Sequence, residues 1–63
     1  MSIGRNIMLI AYDKKIKQKD IANAVGISEM MMSKIVNGQK NPSVEKLVLI
    51  AAFLDVSVDE LVK

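Results

Sequence analysis

The chain has 63 residues, neither cysteine nor histidine, and a net charge of +2. That length supports one domain with a small core. The missing thiols and imidazoles remove disulfides, thiolate metal sites, and the commonest metal ligand and general base. Catalysis, a metal site and a cofactor are therefore not expected, and no small-molecule ligand is evident. Apolar residues make up 51% of the chain, a high share for so small a domain, and an oligomer interface is the obvious use for the excess. No apolar run reaches the roughly 18 residues of a membrane span, and no signal-peptide pattern opens the chain. A soluble, cytoplasmic protein is expected.

The elements follow in chain order. Residues 3–14 read as a first helix with Ile3, Ile7, Ile10 and Ala11 on one face, and with Met8, Leu9 and Tyr12 away from it. Lys14, Lys15, Lys17 and Lys19 then cluster. They suit either an anionic partner or a solvated helix end, where lysines complement the dipole. A second helix, Gln18–Val25, puts Ile21, Ala22 and Val25 on one face. Gly26 supplies a turn without a side-chain penalty, and Ser28 is a good N-cap for a third helix over 29–37. There a projection of about 100° per residue turns Met32, Ile35 and Val36 inward, with Met31 at the margin. Glu29, Met30, Ser33, Lys34 and Asn37 point away.

Asn41, Pro42 and Ser43 form a loop ending in an N-cap, and a fourth helix spans Val44–Leu54. Its inward stripe is Val44, Leu47, Ala51 and Leu54, flanked by Val48 and Ile50. Asp55 and Val56 break the helix, and Ser57 with Glu60 reads as a capping box for a fifth, Val58–Val62. No alternating strand pattern, repeat or linker interrupts the series. The expected fold is all-α, five helices in a single domain over residues 1–63. Charge is uneven along it: residues 1–40 carry seven basic and three acidic residues, net +4, and residues 41–63 carry two and four, net −2.

Two short helices around a glycine turn have the layout of a helix-turn-helix, whose second helix lies in the major groove of DNA. Further residues stand in register with it: Gln18, Ala22, Gly26, Ile27, Ser28, Met32 and Ile35, then Asn37, Gly38, Asn41, Pro42 and Ser43. Leu47, Ile50, Ala51, Leu54, Val56, Ser57 and Leu61 continue the series. With these the whole chain resembles the phage repressor and Cro type of helix-turn-helix domain, the lambda-repressor-like fold. The resemblance implies a bacterial or phage-encoded DNA-binding regulator.

It also implies roles. Gln18 would open the second helix against a phosphate. Asn37, Gly38, Lys40 and Asn41 would grip the backbone beyond the groove, although a helix C-cap alone accounts for Gly38. Glu29, Met30 and Lys34 match base-facing positions, with Ser33 beside them. Lys34 could donate to guanine, Glu29 accept from cytosine N4, and Met30 pack on a thymine methyl. Glu29 serves equally as a partner of the helix dipole, and Met30 as a surface or protein-contact residue.

Departures from the family carry information. Lys17 stands at an N-cap where the family prefers Ser or Thr, which should cost about 1 kcal/mol but places a lysine within reach of phosphate. Lys15 occupies a position usually held by glycine. Ala11 and Val36 replace a buried arginine–glutamate pair common in the family. Replacing both partners avoids stranding one charge, so the joint change implies that these positions touch.

On the fourth helix Leu49, Ala52 and Phe53 face away from the core stripe, and a helix apolar on all sides is covered on more than one. Leu49 and Phe53, extended by Val56, Val58 and Val62, point to a homodimer placing two recognition helices about 34 Å apart. No sensing or cleavable domain is recognised beyond this unit, so control is expected from concentration, competition for sites or a partner. The alternative is a protein-interaction module of antitoxin or antirepressor type on the same fold. It is suggested by the modest charge and by Met30, Met31 and Met32, since methionines suit adaptable contacts.

Overall fold

The computed structural model describes residues 3–63. Five helices follow in order: α1 (Ile3–Asp13), α2 (Gln18–Val25), α3 (Glu29–Val36), α4 (Val44–Leu54) and α5 (Val58–Val62). There is no strand among the described residues. The first and third helices end one residue sooner than their apolar spacing suggests, because residues 14 and 37 already belong to the turns. α1 packs on α3 and α5, α2 on α3 and α4, and α4 on α5.

The core is apolar throughout. Ile7, Ile21, Met32, Ile50, Leu54 and Leu61 are its fully buried large side chains, and no polar or charged side chain is buried among the described residues. Ala11 and Val36 are both buried and line a common cleft between α1 and α3. Neither leaves an unpaired charge there.

Helix termination follows one pattern four times. Lys15, Gly26, Gly38 and Asp55 take φ of 59°, 77°, 78° and 60°. Just beyond each, an amide bonds a carbonyl five residues back: Ile16 to Ala11 at 2.8 Å, Ile27 to Ala22 at 3.0 Å, Gln39 to Lys34 at 2.9 Å, and Val56 to Ala51 at 3.0 Å. This is the left-handed stop that satisfies a helix's last carbonyls. Ile16, Ile27 and Val56 then turn back onto the core, so these three stops also steer the chain into the next helix. Two of the four stops lack glycine and carry strain.

Gly4 is buried where α1 crosses α3. A β-carbon there would collide with the Ile35 carbonyl oxygen and lie 2.9 Å from Val36 C and Cα. All three atoms are backbone, so α3 could not yield without moving. Two residues on, Asn6 Nδ2 donates to Leu61 O at 2.8 Å and Lys63 O at 3.0 Å, tying α1 to the end of α5.

Two expectations are corrected. Val44 is 78% exposed. It opens α4, where Leu47, Ile50, Ala51 and Leu54 make the buried stripe, and lies beyond the reach of the core. Ser57 is the N-cap of α5, but its hydroxyl accepts no capping bond. The Glu60 amide bonds the Ser57 carbonyl instead, at 3.1 Å, so the capping box does not form. Ser28 and Ser43 do cap with their side chains, accepting from the Met31 amide at 3.1 Å and the Lys46 amide at 3.3 Å.

Three stability outcomes follow. Gly4→Ala should destabilise the fold by about 2 kcal/mol or more through overpacking against rigid backbone, seen as a thermal midpoint lower by roughly 10 °C. Lys15→Gly should stabilise it by about 1 kcal/mol, the relief of left-handed strain exceeding the entropy glycine adds to the unfolded chain. Asp55→Gly should gain less, because aspartate tolerates this conformation better. Calorimetry of the three variants checks all of this; an unshifted midpoint for Gly4→Ala would contradict the close crossing.

Candidate nucleic-acid interface

The site is built from the start of α2, the outward face of α3 and the loop that follows. Lys17 takes extended backbone as the N-cap of α2 and makes no side-chain capping bond. The Lys17 carbonyl accepts from the Asp20 amide at 3.0 Å, so the start of α2 carries a lysine and no side-chain cap at the end where the helix dipole is positive. Lys17, Gln18 and Lys19 are all exposed.

Between α2 and α3, Gly26 holds the left-handed turn, and its amide bonds Ala22 O. Lys46 reaches across from α4 to this turn, with its Nζ 2.9 Å from Val25 O. Ser28 then starts α3, whose Met32, Ile35 and Val36 are buried. This inner face fixes the rotation of the helix and so decides what it shows outside. Glu29, Met30 and Lys34 are exposed, Met30 by 72%. Ser33 is half-buried, and its hydroxyl accepts from Asn37 Nδ2 at 3.4 Å, which engages both side chains along the helix.

Beyond α3, Gly38 donates to Ile35 O at 3.1 Å while Gln39 donates to Lys34 O at 2.9 Å. Gly38 thus serves as the helix stop whatever else it does. Lys40 and Asn41 are exposed. They line a shallow cleft of about 180 Å³ with Ile27, Met31, Ile35 and Lys46. Lys46 is the residue of this region that the sequence did not single out. Nothing in residues 44–47 distinguishes a lysine turned toward α2 from one in solvent.

The apolar outer surface lies elsewhere. Leu49 and Phe53 are each 41% exposed and Val62 is 43% exposed, and Val48 adds to the open side of α4. Val56 and Val58 are half-buried and packed on their own core, which reduces what they offer to another chain. Met8, Leu9 and Tyr12 are exposed on α1. No cluster of three or more metal-ligating side chains occurs among the described residues, nor any helix long and apolar enough to cross a membrane.

Five helices with α2 and α3 set around a left-handed glycine define a helix-turn-helix domain of the lambda-repressor type. The helix-turn-helix family model matches residues 10–61, and the chain belongs to that family. Among solved structures it is similar to the DNA-binding domain of the P22 C2 repressor in solution. That match has 27% identity and a TM-score of 0.93, covering 100% of this chain and 83% of that one. The restriction-modification controller protein C.AhdI from Aeromonas hydrophila shares the fold, with 24% identity and a TM-score of 0.86 over 94% of this chain and 89% of that one. No curated protein sequence gives a significant match.

Proposed function

We propose that the chain is a sequence-specific DNA-binding transcriptional regulator, a repressor that occludes a promoter, with residues 1–63 acting as one unit. The observation that carries this reading is α3. Its buried side is fixed by the core, and its open side presents Glu29, Met30 and Lys34 in a fold shared with the P22 C2 repressor's DNA-binding domain. Docked in a major groove, α3 would offer a cation, an acceptor and an apolar group to base edges. Gln18 and Lys17 at the start of α2, and Asn37, Gly38, Lys40 and Asn41 after α3, would hold phosphates on either side. The work would be done in the cytoplasm of a bacterium, without catalysis or a cofactor.

A twofold homodimer completes the reading. Leu49, Phe53 and Val62, with smaller contributions from Val56 and Val58, form the apolar face that a second copy would cover, presenting two recognition helices to a near-palindromic site. A protein-interaction module is favoured by one observation, the exposure of Met30 on the face that would read bases.

Salt separates the two readings. Duplex affinity of a DNA binder falls steeply as salt rises, in proportion to the phosphates neutralised, whereas an interaction module binds little duplex at any salt. On a site selected from a random duplex pool, Lys34→Ala should cost about 1–3 kcal/mol and relax preference at one base pair. Lys40→Ala should weaken all sequences alike. Unchanged affinity and preference in Lys34→Ala would remove α3 from the readout. Size-exclusion chromatography with light scattering should give twice the 7.0 kDa chain mass; a monomer at about tens of micromolar would remove the dimer.

A further inference from the structure

Lys46 stands near three parts of the proposed interface, yet its amine is already engaged. Its Nζ donates to the Val25 carbonyl at 2.9 Å, at the negative end of α2, where a cation is favoured. It comes within 3.7 Å of where a β-carbon would sit on Gly26, so it rests against the turn itself. Its amide is held by the Ser43 hydroxyl at 3.3 Å. The side chain is half-buried and lines the cleft shared with Lys40 and Asn41. One residue of α4 therefore touches the α2–α3 turn and walls the cleft that the loop after α3 also lines.

Resting on the DNA-binding reading above, we infer that Lys46 is a positioning residue for duplex recognition and not a phosphate contact. Its charge fixes the Val25–Gly26 turn against α4, and its stem forms one wall of the cleft that Lys40 and Asn41 also line. The two flanks of the clamp are thereby held at one spacing around α3. A carbonyl at a helix end gains most from an ionised donor. Leaving Lys46 to pursue a phosphate would give up that bond and loosen both flanks together.

Lys46→Met keeps the stem and removes the donor. Measured by fluorescence anisotropy well below the variant's melting temperature, duplex affinity should fall roughly tenfold, the size of one charge-assisted hydrogen bond. The slope of log affinity against log salt should stay at the wild-type value. Lys40→Ala, a phosphate contact in the same reading, should instead lower that slope by about 0.9. Lys46→Arg, which retains the charge and the donors, should recover most of the loss.

A slope reduced by about one phosphate in Lys46→Met would make Lys46 a direct contact and overturn the proposal. A lower melting temperature with unchanged affinity would overturn it too, leaving a role in stability alone. Acetic anhydride labelling of the wild-type protein gives an answer even if Lys46→Met does not fold. Lys40 should become protected on adding duplex, while Lys46 should react slowly and equally with and without it. Protection of Lys46 by duplex would contradict the inference. Absence of duplex binding by the wild-type chain is a separate result, and it would sink the DNA-binding reading itself.

Discussion

At Gly4 there is no side chain between α1 and the backbone of α3, and that crossing sets how closely α1 lies on the helix-turn-helix. The Ile35 carbonyl and the Val36 backbone occupy the space a β-carbon would take. α1 can therefore lie directly on the last turn of α3, where Ile7 and Ala11 meet Val36 in the same apolar layer. Because α1 also packs on α5 and α3 also packs on α2, this contact sets the depth at which the helix-turn-helix sits in the domain. A residue with any side chain at position 4 would lift α1 and open that layer.

The inner surface of α3 then governs its outer one. Met32, Ile35 and Val36 leave the helix a single rotation in which they are all buried, so Glu29, Met30 and Lys34 are presented by default. In the same way the missing side-chain cap at Lys17 would join stability to the proposed recognition. A serine there would add a side-chain acceptor to the first turn, whereas lysine leaves only its backbone carbonyl, which takes the Asp20 amide, and sets a positive charge beside it. The domain gives up some fold stability at the edge where an anion would be met.

Much of this was legible in the sequence, for identifiable reasons. Helix boundaries carry local chemistry: Ser28 and Ser43 announced α3 and α4, and Gly26 and Gly38 announced stops, so the element order needed no tertiary information. The left-handed stop at Lys15 was readable only through family resemblance, and Asp55 read as a break without its geometry. What escaped was long-range. A glycine inside a helical pattern looks like a weak helix former, and nothing near Gly4 marks the approach of α3 from thirty residues away. Lys46 reads as a surface charge until α2 is placed beside it. Val44 matched the apolar stripe by spacing but starts the helix beyond the packed layer, and the Ser57 hydroxyl had the capping motif without the bond.

The connections between the helices have a kinetic consequence. Each of the four links is short, from three to seven residues, and three of the stops fold the following apolar residue straight back onto the helix just completed. Closing each link therefore costs little loop entropy, although α1 must still reach α3 and α5, and α2 must reach α4, across intervening helices. Domains of this kind fold in microseconds to milliseconds. α1 meets α5 across nearly the whole chain, and Asn6 closes that seam on the carbonyls at the end of α5; hydrogen exchange should find the seam opening before the interior does.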